Sequence, residues 1–435
     1  MNSEKLLNLN DLDDEVKLID IANQLSDYDE EELKQLCAAL TDESLAMVLV
    51  QADEDDQKRV ISLLTNKRII KVFSYMQTDD IVDILGILKV GKTKELMNLM
   101  NENDKKVVKE LLGYKDDSAG GIMTTEYIAM RETLTVKDAL AKIKAISPKT
   151  ELLDTIFITD QNKKLIGTCE LRDILSSELD VSLEELTNKN FVSVPPEMDQ
   201  EEVARIASKY DLNVIPVVNK KNGLIGIITI DDIVDVIVEE QTEDALQIGG
   251  VDKEETIDST VGESVRFRLP WLLVNLITAF LASFTVKAFE STIAQVVALS
   301  SIMSIVTGMG GNAGTQTVSI IVRNIAMGTV ELKDGLKLLK KEFLTGLING
   351  IFIGLITGVI IALVYKNAYL GLIIFLAMIG NLVIANVCGV LIPLILKKLK
   401  LDPAISSTVF LTTATDVLGF FIFLSLAKIF LPHLI

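Results

Sequence analysis

The chain has 435 residues, of which 49% are hydrophobic and 24% are charged, and its formal net charge is −19. Residues 1–262 contain 29 basic and 54 acidic residues, whereas residues 263–435 contain 13 basic and 7 acidic ones. An acidic, polar first part followed by an apolar, mildly basic second part excludes a single globular domain, and the acidity argues against nucleic acid as a partner because phosphates would be repelled.

The first segment is predicted to be all-helical. Apolar residues recur at i, i+3 and i+4 in "DEEELKQLCAAL", "QKRVISLLTN" and "TDDIVDILGIL", with short polar breaks between the periodic stretches. Gly and Pro are scarce and no strand-like alternation is present. This pattern predicts a compact helical domain over residues 1–120.

The sequence pattern changes from helical periodicity to alternating helices and strands after "GYKDDSAGGIMT", where a repeat begins. Residues 134–175 and 199–238 both run in the order helix, strand, turn, strand and helix, and their landmarks are "LIGTCELRDIL" and "LIGIITIDDIV". A repeated unit that cannot bury its small sheet alone is expected to pair with its copy.

Apolar stretches of about 20 residues or more, the length a helix needs to cross a bilayer, recur from Leu269 onward. The predicted spans are 269–289, 294–326, 343–365, 369–396 and 404–431. The second is long and contains "TGMGGNAGTQT", which predicts a break, kink or tilt. Basic residues concentrate before the first span and after the second and fourth, so the positive-inside rule places the N-terminal half in the cytoplasm and the C-terminus outside.

Two features of the spans stand out. Glycines recur every four residues on one face of the third span, which favours close helix packing; they are Gly346, Gly350, Gly354 and Gly358. In the fifth span, Asp416 is the only charged residue between Asp402 and Lys428. A charge at mid-membrane costs at least about 2.5–3.5 kcal/mol, so Asp416 is predicted to be functional.

The repeat resembles a tandem pair of CBS domains in its strand order, its "LIG" turn and the acidic residue that opens the last helix. That resemblance implies an adenine-nucleotide site that includes Arg172 and Asp173, in which the aspartate binds a ribose. Asp232 is the matching residue of the second unit. A carboxylate at either position would equally stabilise its helix through the helix dipole.

The whole chain resembles the MgtE family of magnesium channels, on the strings "DDSAGGIMT", "TED", "GMGGNAGTQ" and "TTATDVLGF". The resemblance implies a multidomain membrane protein with an all-α superhelical N-domain, tandem α/β CBS domains, a connecting helix and a five-helix transmembrane domain. The implied segments are 1–120, 121–182, 183–240, 241–265 and 266–435, in that order. It further implies a non-enzymatic, Mg²⁺-selective homodimer in the plasma membrane, with ATP as a candidate second ligand at the CBS pair.

The resemblance also implies a pore on the two-fold axis of the dimer. Asp416 matches the pore carboxylate, and Asn312 lies in the matching loop of the second span. Thr412 and Thr408 lie one and two turns before Asp416, although the family more often has other small or amide residues at those positions. Mg²⁺ gives up its water reluctantly, so a carboxylate with hydroxyl or carbonyl oxygens suits an ion that keeps much of its hydration shell.

Regulation by cytoplasmic Mg²⁺ is a further implication. Acidic faces that meet across an interface repel until divalent cations neutralise them, which provides a two-state element. The matching positions are Asp79, Asp83, Asp199, Glu201, Asp211, Asp232, Asp235, Glu240, Glu243 and Asp244.

Three other functional classes share some of these sequence features. An H⁺- or Na⁺-coupled divalent cation transporter, regulated by nucleotide at the CBS pair, also keeps an intramembrane acid. An intramembrane aspartyl protease requires two membrane-embedded aspartates. Asp402 lies at a basic loop edge, so only Asp416 is embedded and this class is excluded. A nucleotide sensor anchored by its helices has no reason to keep Asp416. The sequence leaves open the selectivity among divalent cations.

Overall fold

The structure is a computed structural model that describes residues 15–146, 154–253, 255–257, 259–405 and 407–434. The chain divides into two compact units, Met1–Val236 and Ile237–Ile435.

The first unit begins with a series of short helices, as the apolar periodicity predicts. Their starts are fixed by polar N-caps such as Asp29, which forms a reciprocal capping box with Glu32, and Thr41, which accepts from the Ser44 amide. The helices are α1 (Glu15–Ala22), α2 (Glu30–Ala39), α3 (Asp42–Gln51), α4 (Glu54–Leu63), α5 (Asn66–Phe73), α6 (Thr78–Ile87), α7 (Val90–Met97) and α8 (Glu102–Leu111). The predicted all-helical N-domain is confirmed.

The repeat forms two small sheets. In the first, β1 is parallel to β2 and β2 is antiparallel to β3; in the second, β4 and β5 are antiparallel. The elements are β1 (Ala129–Arg131), α9 (Val136–Ile146), β2 (Thr155–Thr159), β3 (Leu165–Glu170), α10 (Leu171–Ser176), α11 (Leu183–Leu186), α12 (Gln200–Tyr210), β4 (Val214–Val218) and β5 (Leu224–Thr229).

The two copies of the repeat pack on each other, as predicted. Phe157 and Leu165 of the first copy and Ile227 of the second form one buried apolar cluster. The Leu165 amide donates to the Asn222 carbonyl at 2.9 Å, which joins the two turns directly. The predicted tandem α/β arrangement is therefore confirmed.

A long helix, α13 (Ile230–Ile248), follows β5, and the boundary between the two units falls within it. The predicted connecting segment, 241–265, starts inside this helix, is helical to Ile248 and becomes helical again from Val261. Gly249 and Gly250 follow, and Gly250 has a φ of +75°, a conformation that glycine adopts without strain. A new helix begins after Thr260, which forms a capping box with Glu263.

The second unit is dominated by long helices. They are α14 (Val261–Lys287), the short α15 (Glu290–Gln295), α16 (Ala298–Ala326), α17 (Gly335–Tyr365), α18 (Ala368–Lys398) and α19 (Ser407–Ile429). Within the described residues, four of them (α14, α17 with the turn before it, α18 and α19) are long and apolar enough to cross a membrane. Helix α16 corresponds to the second predicted span; its Ser, Thr, Asn, Gln and Gly residues make it less apolar.

Of the break, kink or tilt predicted for the second span, the break is absent, because α16 is one continuous helix of 29 residues. Its glycines serve close packing instead. A Cβ on Gly310 would lie 2.9 Å from Cγ of Asn381 in α18, and one on Gly314 would lie 2.6 Å from Cδ1 of Leu411 in α19. Side chains of the neighbouring helices fill the grooves that these glycines leave.

The glycine face of α17 packs on α18, which confirms the predicted use of this spacing. A Cβ on Gly350 would lie 2.7 Å from Cα of Ile379, and one on Gly358 would lie 2.8 Å from the Gly371 carbonyl oxygen. The two backbones are too close for any side chain at these positions.

Candidate functional site

Asp416 lies on α19, is half-buried and is followed by an apolar stretch of the helix. Thr412 and Thr408 precede it by one and two turns and are half-buried as well. The Thr412 hydroxyl donates to the Val409 carbonyl of its own helix at 3.1 Å, and the Thr408 hydroxyl donates to the carbonyl of Ile248 at the end of α13. One face of α19 therefore carries a carboxylate and two hydroxyl oxygens in line.

Asn312 lies inside the continuous helix α16, next to that face, so its predicted place in a loop is wrong. Its side chain is exposed, and a Cβ on the neighbouring Gly311 would lie 4.0 Å from Cγ2 of Thr412. The close approach of α16 and α19 at Gly311 and Gly314 thus brings the Asn312 turn to the level of Thr412. The structure places all four predicted pore residues on two helices that pack together.

The end of α13 contacts these same two helices. Ile248 packs against a buried apolar cluster whose members come from α16, α19 and the loop before α19; they are Val318, Val322, Ala404 and Leu411. Through this cluster and the Thr408 hydrogen bond, the C-terminal end of α13, which we call the connector, contacts the two helices that carry the candidate pore residues.

An acidic group surrounds the last turns of α13. Burial and the nearby carboxylates of Asp402, Glu240 and Glu243 raise the pKa of Asp244 to about 7. Glu243 forms an ion pair with Lys253 at 3.2 Å and accepts from the Gln247 amide. Three predicted regulatory residues are therefore together, and Asp402, which was predicted only as a loop-edge residue, joins them.

A second acidic pair lies in the first unit. Burial, with the charges of Asp80 and Asp232 next to it, raises the pKa of Asp79 to about 8, and its buried Oδ1 has no hydrogen-bond partner among the described residues. Burial also raises the pKa of Asp232, against the lowering effect of the hydrogen bonds from Thr229. Helix α6 and the start of α13 thus bring two predicted regulatory carboxylates close enough for the charge of Asp232 to act on Asp79.

The remaining regulatory candidates are more dispersed. Asp199 is the N-cap of α12 and accepts from the Glu201 amide at 3.0 Å, whereas Asp211 is the C-cap at the other end of that helix, with a φ of 53°. Asp83 and Asp235 are exposed. Within the described part of the chain, no three His, Cys, Asp or Glu side chains are grouped closely enough to hold a metal ion.

The predicted nucleotide residues lie in the first turn of α10. Arg172 has a side chain that is 80% exposed and pairs with Glu170 at 2.8 Å, and Asp173 lies 3.9 Å from the same guanidinium. This arrangement fits both an N-terminal helix carboxylate and a polar surface open to a ligand.

Two buried polar groups of the second unit were missed by the sequence analysis. Glu342 of α17 accepts from Asn386 of α18 at 3.2 Å and from Thr317 of α16 at 3.4 Å. Its signal was hidden because it follows two lysines at the predicted start of a span. Asn381 of α18 is fully buried; an amide within an apolar span was the available signal.

Family models match three parts of this chain. The family model described as "Divalent cation transporter" (MgtE) matches residues 303–426, the "MgtE intracellular N domain" matches 16–117, and the CBS domain matches 119–180 and 183–239. The magnesium transporter MgtE of Bacillus subtilis (strain 168) is 34% identical over 401 residues, which cover 83% of this chain and 88% of the relative. MgtE of Thermus thermophilus is 33% identical, over 81% of this chain and 79% of the relative. A crystal structure of the cytosolic domain of the Mg²⁺ channel MgtE in complex with ATP aligns with 53% of this chain and 91% of its own, at 28% identity and a TM-score of 0.49.

Proposed function

This chain belongs to the MgtE family of divalent cation transporters, and from that premise we propose that it is a Mg²⁺ channel whose ion path contains the carboxylate of Asp416. The matched relatives are magnesium transporters, so Mg²⁺ is the transported ion. The observation that carries the finer proposal is the half-buried Asp416 in line with two threonines on an apolar helix.

The chemistry of the four residues suits a hydrated ion. Mg²⁺ is held best by oxygen ligands and keeps several waters, which carboxylate and hydroxyl groups bind through hydrogen bonds. Asp416 supplies the charge, while Thr412 and the Asn312 amide supply neutral polar groups. A single carboxylate per chain attracts the ion and still releases it, as conduction requires.

A homodimer completes this path in the proposal. Two copies of Asp416 that meet on a two-fold axis repel each other, and a divalent cation between them relieves the repulsion. The apolar side chains of α14 are mostly exposed in the single chain, which leaves surface for lipid and for a second subunit.

The gate in this proposal is the end of α13. Ile248 packs on α16 and α19, and its carbonyl holds the hydroxyl of Thr408, so the connector sits at one end of the proposed pore. Mg²⁺ that bridges Asp244 and Asp402 neutralises their repulsion and favours this closed contact. In the first unit, Mg²⁺ bound between Asp79 and Asp232 likewise neutralises their repulsion and favours the closed state. The further ligands in this proposal are Asp83, Asp199, Glu201, Asp211 and Asp235.

The chain is a multi-pass membrane protein with a soluble N-terminal part. We propose the plasma membrane, with the N-terminal half in the cytoplasm and the C-terminus outside. The support is the excess of basic residues in alternate loops, on the side of the soluble part.

A coupled transporter is the second candidate function, and one observation favours it. Glu342 is a second buried acid within the long helices, and coupled transporters often use several intramembrane acids as proton or ion sites. Its two hydrogen-bond donors, Asn386 and Thr317, stabilise it as a fixed carboxylate, which fits a structural role better.

Nucleotide regulation remains a separate proposal. Arg172 offers an exposed cation to a phosphate and Asp173 a carboxylate to a ribose, after Arg172 has left its pair with Glu170. Equilibrium dialysis of ATP with the full chain and with Arg172→Ala measures this directly. Equal binding by the two proteins contradicts it.

The experiment that tests the main proposal is Mg²⁺ uptake into liposomes, with and without a pH or Na⁺ gradient. We expect uptake to be independent of either gradient and to be lost in Asp416→Asn, which keeps the side-chain volume but removes the charge. Glu290→Gln, which removes an exposed carboxylate of the same unit, is the matched control and should conduct normally. Full uptake by Asp416→Asn refutes the pore assignment, and uptake that requires a gradient favours the coupled transporter.

A further inference from the structure

Asn381 of α18 is a fully buried amide that joins helices α16 and α18. Its exposed fraction is 0%, and its Nδ2 donates to the Val306 carbonyl of α16 at 2.5 Å. Its Oδ1 has no hydrogen-bond partner within the described residues. The side chain is therefore held at one end and carries an unpaired acceptor at the other.

Two glycines make room for this amide. A Cβ on Gly310 of α16 would lie 2.9 Å from Cγ of Asn381, and a Cβ on Gly419 of α19 would lie 2.8 Å from its Oδ1. The amide thus fills the space between α16 and α19, where neither helix has a side chain of its own. Larger residues at either glycine would displace it.

These contacts lie at the level of the proposed pore residues. Gly310 precedes Asn312 by two residues on α16, and Gly419 follows Asp416 by three residues, less than one turn, on α19. Asn381 contacts both helices within one turn of these residues, from α18, which packs against α16 and α19. A change in its size or hydrogen bonding therefore moves Asn312 and Asp416 relative to each other.

Stability alone does not explain an asparagine here. A buried acceptor without a partner is destabilising, and a leucine, which has the same number and branching of side-chain heavy atoms, would avoid this loss. What the leucine lacks is a directional hydrogen bond to the α16 backbone. That bond fixes the position of α16 along α18 and the distance of α18 from it.

We propose that Asn381 is a positioning residue for cation permeation, which fixes the separation of Asn312 and Asp416 and so determines how well the path discriminates among hydrated divalent cations. The inference rests on the proposed function, since it takes Asn312 and Asp416 to line the path. It adds a residue that does not face the ion and acts through the two helices that do.

The test is the ratio of Mg²⁺ to Ca²⁺ uptake by the full chain in liposomes, measured for the native protein and for Asn381→Leu. We expect Asn381→Leu to assemble and conduct, with a ratio that falls by at least about threefold because the ion path is no longer held at one width. A ratio within experimental error of the native value overturns the inference.

A paired variant keeps the test decisive if Asn381→Leu does not assemble. Asn381→Ala leaves a space, and Gly310→Ala alone places a methyl group against the amide; the double variant fits the methyl into that space. The double variant should assemble better than Gly310→Ala and have an altered ratio, since the bond to Val306 is still missing. A native ratio in the double variant overturns the inference.

Asn386→Leu is the matched control, because it removes another buried amide of α18, one that donates to Glu342 of α17. It should lower yield or rate without changing the ratio, and an equal change in the ratio contradicts the specific role of Asn381. The Asp416→Asn variant distinguishes a failure of the proposed function from a failure of this inference. Full uptake by that variant overturns the proposed function, whereas lost uptake together with an unchanged ratio in Asn381→Leu overturns only this inference.

Discussion

Asp79 shows how one buried carboxylate couples pH to stability. Its pKa rises from 3.8 to about 8 through burial and the carboxylates of Asp80 and Asp232, so between these pH values the folded chain holds one more proton than the unfolded chain. Stability from this group is complete below pH 4 and decreases as the pH rises toward 8, by at most about 1.4 kcal/mol per pH unit. In Mg²⁺-free buffer, the first unit should therefore resist urea better at pH 6 than at pH 8.5, as measured by limited proteolysis of the full chain.

Asp79→Asn is the control for this prediction. The variant cannot ionise, so its urea resistance should change less with pH, and at pH 8.5 it should exceed that of the native chain. Added Mg²⁺ should protect the native chain at pH 8.5 but not the variant, because the amide is a weaker ligand. An identical pH profile for the two proteins would mean that another group carries the dependence.

The site residues differ in how far sequence predicts them. Asp416 is conspicuous because a charge in an apolar span is costly wherever the helix packs. Asp402 and Asn381 acquire their importance only from residues distant in sequence, namely Asp244 and the pair Gly310 and Gly419. An amide within an apolar span marks Asn381 as unusual, but a single sequence contains no signal for such contacts, so the role of neither residue could be predicted.

At the scale of elements, the glycine face of α17 makes a direct prediction. Gly350→Ala should lower the thermal stability of the detergent-solubilised chain, because its Cβ would lie 2.7 Å from Cα of Ile379, a backbone atom that cannot turn aside. Overpacking of this kind costs ~1–3 kcal/mol, which corresponds to roughly 2–10 °C in melting temperature. Gly308→Ala is the matched control, since nothing lies within 4 Å of a Cβ there, and equal melting of the two variants would contradict the packing.

The contact between α13 and α19 predicts how easily the gate opens. Thr408→Val removes the hydrogen bond to the Ile248 carbonyl and keeps the shape of the side chain. A net loss of about 0.5–1.5 kcal/mol from the closed state should raise the Mg²⁺ concentration that halves uptake by roughly 2- to 10-fold. Thr413→Val is the control, because the Thr413 hydroxyl bonds within its own helix, to Val409 at 2.7 Å. The gate assignment fails if both variants close at the native concentration.

Glycine also explains which element predictions succeeded. The four-residue spacing in α17 predicted close packing, and α18 supplies the partner. The glycines of "TGMGGNAGTQT" predicted a break, kink or tilt of the second span. Helix α16 has no break, and Asn381 and Leu411 fill its grooves at Gly310 and Gly314. The same residue type favours a break or a tight contact, and tertiary packing decides between them.

At the scale of the whole molecule, the two-part organisation is readable from charge and hydropathy, because a soluble domain and a lipid-facing helix have incompatible surfaces. The repeat is readable as well, since its two copies are similar and each needs the other to bury its sheet. The point at which the connector ends is harder to predict from the sequence. Helix α13 continues from the last repeat helix to Ile248 without a change in the pattern, and only the two glycines after it mark its end.

The charge of the first part leads to the last prediction. Residues 1–262 carry 54 acidic and 29 basic residues, so the folded N-terminal part is under electrostatic repulsion at neutral pH. If Mg²⁺ acts at particular carboxylate pairs, millimolar Mg²⁺ should make this part more compact and several-fold more resistant to protease. K⁺ at the same ionic strength, which only screens charge, should protect much less.

A double variant distinguishes bound Mg²⁺ from general screening. Asp79→Asn with Asp232→Asn removes only two of the acidic residues, so a screening effect would hardly change, whereas protection through this pair would be largely lost. The measurement is the half-life of the full chain under limited proteolysis as Mg²⁺ is titrated. Equal protection by K⁺, or undiminished protection of the double variant, would show that total charge governs the response and that the gate must sense Mg²⁺ elsewhere, with the group around Asp244 and Asp402 as the next place to test.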